Sequence, residues 1–168
     1  IKLYLNFYRT KKKDFIEIFK TMNGLPVTVR LLDPPLHEFL PKNENEINDL
    51  SQSLNLSKKE VESRIGELHE HNPMLGHRGC RLGISFPEIY EMQCRAIFEA
   101  LVECKNKQYK SILPEIMIPL VSTEAEIKIM KNLVIRTAKQ VQDENKVKIN
   151  FLVGTMIELP RAAIKAKD

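Results

Sequence analysis

Three charged residues sit where the surrounding sequence is apolar or glycine-rich, and each is of a type that handles anions or metals. Arg30 lies inside Val27-Thr28-Val29-Arg30-Leu31-Leu32-Asp33. A guanidinium in such a run is costly to bury unless an anion or a hydrogen-bonded carboxylate meets it. Two readings stay open for it: an internal pair with Asp33 or Glu38, or a planar fork offered to a carboxylate or phosphate at the C-terminal mouth of a strand. Arg78 lies between Gly76 and Gly79 in the stretch Asn72-Pro73-Met74-Leu75-Gly76-His77-Arg78-Gly79-Cys80-Arg81. Glycines there allow unusual dihedrals and a close approach of backbone to ligand; the alternative is a turn whose arginine faces solvent. His77 has no nucleophile beside it and reads as a structural, hydrogen-bonding histidine rather than a base. Glu158 follows Gly154-Thr155-Met156-Ile157. A carboxylate in that place suits Mg²⁺, which takes one or two protein oxygens and fills its shell with water and substrate. The alternative is a salt bridge to Arg161 or to a neighbouring strand. Two arginines and one carboxylate near strand ends together suggest a metal-held anionic substrate.

The elements that must position these residues alternate between strand and helix. Four segments read as strands: 27–32, a short and unclear one within 79–84, 115–121 and 149–157. Continuous apolar runs of this kind suit parallel strands covered on both faces. Helices fill the gaps. An early one spans about 12–22 and ends at Gly24, a suitable C′ residue. Ser57-Lys58-Lys59-Glu60 is a capping box that opens a helix to about Glu70, and Thr123-Glu124-Ala125-Glu126 is another, followed by apolar residues at helical spacing. Ser85-Phe86-Pro87-Glu88 reads as a third box, with proline in the first turn of a helix to about Lys105. This alternation predicts a right-handed parallel α/β arrangement. A complete eight-stranded β/α barrel needs about 250 residues, so about four strands in 168 residues imply a partial TIM-type barrel. The polar helices near 41–75 read as an insertion decorating it. An open doubly wound sheet fits the length, but no glycine-rich turn follows a strand as a dinucleotide fold requires.

Composition narrows the function classes. Hydrophobic residues make up 43% and charged residues 29% of the chain, as in a globular α/β protein rather than a disordered one. No apolar run approaches the ~20 residues that cross a bilayer, so no membrane association is expected. Cys80, Cys94 and Cys104 lack the spacing of a zinc site and read as reduced thiols of a cytosolic protein. The net charge of +4 is modest. Arg9 and Lys11-Lys12-Lys13 read as a solvated helix face, with no aromatic-interleaved stripe to bind nucleic acid. Both ends look cut: Ile1 begins without an initiator Met, and Asp168 stops within a helix.

Read as strings, residues 24–41, 72–83, 114–120 and 154–163 resemble the pyruvate, phosphate dikinase family. The likeness runs in order over about 14–168 and leaves 1–13 unassigned. It implies a phosphoenolpyruvate- and pyruvate-binding β/α barrel domain, of which all 168 residues form a part. The family interconverts ATP, phosphate and pyruvate with AMP, diphosphate and phosphoenolpyruvate, through a phosphohistidine on a swivelling domain. By the resemblance Arg30 and Arg78 are substrate-clamping arginines, and Glu158 binds substrate through Mg²⁺. The likeness also implies a homodimer formed through the barrel; the protein is expected in the cytoplasm, with delivery to an organelle left open by the missing termini. None of His37, His69, His71 and His77 sits in the family's Thr-Ser-His-Ala-Ala loop. The second metal carboxylate, in a Gly-Thr-Asn-Asp segment, and the acid–base cysteine belong beyond Asp168, and a further arginine before Ile1. No catalytic residue is therefore assigned within the chain, and alone it is expected to be inactive.

Phosphoenolpyruvate synthase and the phosphotransferase-system enzyme I share the barrel but differ in the Leu-Leu-Asp-Pro-Pro-Leu-His-Glu-Phe and Gly-His-Arg-Gly-Cys-Arg segments. A Mg²⁺-dependent carbon–carbon lyase and a non-catalytic dimerisation module are further alternatives.

Overall fold

The computed structural model describes residues 2–72, 74–110 and 112–167, and the side chains among these other than 2–7, 36 and 37. The chain divides into two compact units, Ile1–Asp33 with Gly79–Asp168, and Pro34–Arg78.

In the first unit, helix α1 (Lys2–Met22) precedes strand β1 (Val27–Arg30). The helix starts earlier than the expected 12–22. It ends because Asn23 and then Gly24 take positive φ, which unwinds the last turn. The second unit holds one 3₁₀ turn (Leu36–Phe39) and the paired helices α2 (Glu44–Leu54) and α3 (Lys58–Leu68). These are the two polar helices expected near 41–75. Polar positions dominate them because α2 buries nothing and α3 buries only Val61. Ser57 and Glu60 form the capping box at the start of α3.

The first unit resumes with α4 (Gly79–Ser85), α5 (Pro87–Asn106), β2 (Pro114–Ile118), α6 (Glu124–Asn145), β3 (Leu152–Thr155) and α7 (Pro160–Ile164). Among the described residues the sheet has three strands in the order β1-β2-β3, both pairs parallel. The expected strand within 79–84 is instead helix α4. Its buried residues are Gly79, Cys80, Leu82 and Gly83, an i, i+1, i+3, i+4 pattern that belongs to one helix face. The small residues allow close packing: a Cβ on Gly83 would lie 2.6 Å from the Tyr90 ring and 2.8 Å from Met130 Sδ. So short an apolar run does not reveal its period.

The expected Ser85 cap is also replaced. Ser85 completes α4, the Phe86 amide donates back to the Leu82 carbonyl at 2.8 Å, and Phe86 caps α5 without a side-chain hydrogen bond. Pro87 opens that helix with its preset φ. By contrast Thr123 and Glu126 make their expected box at α6. β2 stops short of 121 because Leu120 turns the chain at φ 59°. β3 is shorter than 149–157 partly because the Ile149 amide donates to the Gln142 side chain, 2.8 Å away, and so leaves the ladder.

One face of the sheet enters the core. Val27, Ile116 and Ile118 join Phe15 and Phe19 of α1, Tyr90, Ile97 and Phe98 of α5, and Val134 and Val141 of α6. Each such side chain contributes about 1.5–3 kcal/mol on burial. The helix layer is tied further by Lys12, whose Nζ lies 3.2 Å from Glu99 and 3.6 Å from Glu103 on α5. Lys12 is thus part of a packed interface rather than a merely solvated face. The sheet's other face carries Thr28 and Arg30 on β1, Glu115 and Met117 on β2, and Leu152 and Gly154 on β3, in register. Thr28, Arg30, Leu152 and Gly154 are exposed. The expected cover on both faces is therefore absent among the described residues. That face offers mostly polar groups or no side chain, which hold no second apolar layer.

Candidate active site

Parallel strands direct their C-terminal ends to one side, and the first unit gathers there both of its sequence-selected residues. Arg30 ends β1. The continuation of that strand is held from α5: the Leu32 amide donates to Gln93 Oε1 at 2.9 Å, and the Tyr90 hydroxyl donates to the Leu32 carbonyl at 2.8 Å. This fixes Asp33, whose side chain is 9% exposed, 3.1 Å from Arg30 Nη1. The internal pair with Asp33 is therefore formed. The guanidinium itself is not buried, its side chain being 48% exposed. Asp33 takes its one hydrogen bond among the described residues, and a guanidinium has five N–H donors. Most of the fork is open to an incoming anion.

Glu158 stands three residues past the end of β3 and is exposed. Its Oε1 accepts from the Leu120 amide at 2.7 Å. Among the described residues it pairs with neither Arg161 nor another cation. A carboxylate held by one backbone N–H is oriented while its second oxygen keeps its acceptor capacity.

Leu120 is the pivot of this arrangement, and sequence reading did not single it out. Its positive φ aims its N–H at Glu158. The Cys80 amide donates to the Pro119 carbonyl at 3.0 Å, and Cys80 Sγ donates to the Leu120 carbonyl at 3.0 Å. Burial, aided by the negative charge of Glu126, pushes the Cys80 thiol up to about 11, so it stays protonated and able to donate at neutral pH. Gly79, at φ +53°, packs directly on Leu120: a Cβ there would lie 2.8 Å from Leu120 Cβ and 3.1 Å from Asp33 Oδ1. Gly79 thus lies between the anchor of Glu158 and the partner of Arg30. The one signal for it in the sequence is the glycine after Arg78.

Gly154 is in register with Met117 and, through it, with Arg30. A Cβ on Gly154 would meet nothing within 4 Å, so the open face is unobstructed beside Arg30. A cleft of about 440 Å³ opens beside the β3 end, lined by Thr155, Ile157, Thr123 and Arg161.

Arg78 closes the second unit. Its amide donates to the Gly76 carbonyl at 3.1 Å, its Nη1 lies 3.0 Å from Met74 Sδ, and the residue is half-buried. The turn before it is fastened by Glu70, whose Oε1 accepts from the His77 amide at 2.6 Å and lies 3.0 Å from His77 Nδ1. His77 has the hydrogen-bonded partner that a structural histidine needs. Pro73, in the same sequence string, lies outside the described residues.

No group of three or more His, Cys, Asp or Glu side chains among the described residues could cage a metal ion. The donor set does fit Mg²⁺, a hard cation that is content with a single protein carboxylate plus water and substrate oxygens. Glu158, oriented through one oxygen with the other left to accept, offers a carboxylate of that kind. No helix among the described residues is long and apolar enough to cross a membrane.

Residues 4–168 match the family described as PEP-utilising enzyme, PEP-binding domain. The chain is 54% identical over 156 residues to a pyruvate, phosphate dikinase of Rhizobium meliloti (strain 1021), covering 93% of the chain and 17% of that protein. It is 49% identical over 156 residues to that of Clostridium symbiosum, covering 93% of the chain and 18% of the relative. It is 50% identical over 160 residues to a pyruvate, phosphate dikinase, chloroplastic, of Mesembryanthemum crystallinum, covering 94% of the chain and 17% of the relative. The chain spans about a sixth of the length of these relatives.

Proposed function

This chain belongs to the PEP-binding domain family of PEP-utilising enzymes, and from that membership we propose that it forms one wall of the phosphoenolpyruvate/pyruvate site of a pyruvate, phosphate dikinase. The parent reaction interconverts ATP, phosphate and pyruvate with AMP, diphosphate and phosphoenolpyruvate through a phosphohistidine carrier domain. The observation that carries this reading is the shared end of the sheet: Arg30 closes β1, and Glu158, fixed by the Leu120 amide, follows β3. Ligands of β/α barrels sit at that end of the strands.

The residues present do the work of binding and orientation. Arg30 engages a phosphate or carboxylate oxygen with the donors that Asp33 leaves open, while Asp33 keeps the guanidinium from swinging away. Arg78 enters on its sequence context, as a second guanidinium for a substrate oxygen. Glu158 would hold Mg²⁺, since the Leu120 amide occupies one carboxylate oxygen and leaves the other available. When bound, Mg²⁺ supplies neutralisation of negative charge that develops on substrate oxygens. Phosphoryl transfer depends mainly on such positioning and charge neutralisation. Acid–base chemistry on the pyruvate methyl group belongs to residues outside this chain.

Among the described residues, the three parallel strands, the open sheet face and the unpaired edges at β1 and β3 support a partial TIM-type barrel within one domain, with Pro34–Arg78 inserted as a separate compact unit. We assign the parent to the cytoplasm, although the matched plant relatives are named chloroplastic, and infer a homodimer through the barrel.

The test is calorimetric titration of the full chain with phosphoenolpyruvate, with and without Mg²⁺. Binding is expected to be Mg²⁺-dependent, lost in Glu158→Gln and weakened in Arg30→Met, with no turnover. Undiminished binding by both variants would remove Arg30 and Glu158 from the site. Turnover of phosphoenolpyruvate and pyruvate by the chain alone would overturn its reading as one wall.

A further inference from the structure

The opposite end of the sheet holds a second cavity. It has a volume of about 160 Å³ and lies where α5 ends, where the chain enters β2, and where it enters β3. Lys105, Lys110 and Lys148 line it, with Tyr109 and Asn150, over an apolar wall that includes Leu101 and Ile112. None of the lining residues is acidic. Among the described residues none of the three lysines pairs with a carboxylate, and Lys105 Nζ donates to the Lys148 carbonyl at 3.2 Å. Glu103, one residue from the wall, is already engaged by Lys107 and Lys12.

A simpler reading is that these lysines merely neutralise helix ends. The C-termini of α5 and α6 both lie at this end of the strands. Each helix end carries roughly half a negative charge, about one charge for the two. Three ammonium groups exceed that by about two positive charges, gathered around one low-dielectric wall. Concave sites lined by charge of one sign concentrate counter-ions. The volume is below the ~300 Å³ at which drug-sized ligand sites begin, so the occupant is smaller than a nucleotide.

We propose that this cavity binds a small organic phosphate, its phosphoryl oxygens against Lys105, Lys110 and Lys148 and its apolar body against Leu101, Ile112 and the Tyr109 ring. Lysine serves phosphate as a mobile point charge. Tyr109 and Asn150 add a hydroxyl and an amide donor. The site is independent of the proposal for Arg30 and Glu158, which concerns the other end of the strands.

Phenyl phosphate is the probe, with inorganic phosphate and phenol as partial probes, titrated into the full chain and followed through backbone amide shifts. Phenyl phosphate should saturably shift the amides of residues 101–110, 112 and 148–150 and bind roughly tenfold or more tighter than either partial probe. Lys110→Gln and Lys148→Gln should each weaken it roughly tenfold or more, the lower end of what one charged hydrogen bond is worth, and added KCl should weaken it further. Lys131→Gln, on the outer side of α6, should leave it unchanged. The three substituted side chains are exposed, so the fold survives, and the amide spectra report this directly. Absence of saturable shifts at those residues would overturn the proposal. So would equal affinity for inorganic phosphate, an unaffected Lys110→Gln/Lys148→Gln double variant, or an equal loss in Lys131→Gln.

Discussion

Replacing Gly79 with alanine tests how the strand ends are held. Two costs arise separately. Gly79 has φ +53°, and a left-handed conformation costs an L-residue roughly 1–2 kcal/mol. The added methyl would also lie 2.8 Å from Leu120 Cβ and 2.9 Å from Leu120 Cδ1, and overpacking of a well-filled site costs typically about 1–3 kcal/mol. Gly79→Ala should therefore lose roughly 2–5 kcal/mol, a large part of the ~5–15 kcal/mol of an ordinary domain. Leu120→Gly separates the terms. It removes the obstructing side chain and relaxes Leu120's own φ of 59°; its own effect, the lost packing of a half-buried side chain set against that relief, is subtracted in the cycle. In that background Gly79→Ala keeps only the left-handed cost, and the coupling between the two substitutions should reach about 1 kcal/mol or more. Urea unfolding followed by far-ultraviolet circular dichroism measures all four proteins. With a slope of about 1–3 kcal/mol per molar urea, the single variant's midpoint falls by roughly 0.7 M or more. A Gly79→Ala cost below about 1 kcal/mol, or the same cost in both backgrounds, refutes the placement of Gly79 against Leu120.

Two further substitutions probe the helix layer. Thr123→Ala removes the side chain that accepts from the Glu126 amide and half of the α6 capping box; a loss of about 0.5–2 kcal/mol is expected in the same unfolding assay. Burial pushes the Glu99 carboxyl up, but the Tyr8 hydroxyl, Lys12 and Arg95 outweigh it and hold the carboxyl below its ordinary 4.5. A carboxyl that titrates lower in the folded chain than in the unfolded one stabilises fully above pH 4.5 and loses that contribution as pH falls through its folded value. Glu99→Gln should flatten this acid limb when the unfolding midpoint is followed from neutral pH downward; an unchanged slope would count against the network.

Local chemistry was legible in the chain before folding. The Ser57 and Thr123 boxes form as their spacing requires, because a capping box is closed within four residues. Arg30 and Asp33, also close in sequence, make one of the pairs that their positions suggest. The strands centred on Val29, Ile116 and Val153 follow from apolar, β-branched runs. Failures fall where the deciding partner is remote. The 79–85 segment is a helix because its small face packs on Tyr90 of the next helix and on Met130 and Leu120, some forty positions away. Ser85 is no cap because α4 uses it first.

Arg30, Arg78 and Glu158 were picked out by residue type and by their place in apolar or glycine-rich strings, information that a linear sequence carries in full. Tertiary structure alone decided how two of them are held. Asp33 restrains Arg30 only because Tyr90 and Gln93 of α5 fix the backbone before it. Glu158 is oriented by the amide of Leu120, a residue with no sequence signature, whose turn is braced by Gly79 and Cys80 some forty positions earlier. A backbone N–H is the same in every residue except proline. Which one meets a carboxylate is set by the packing of distant segments.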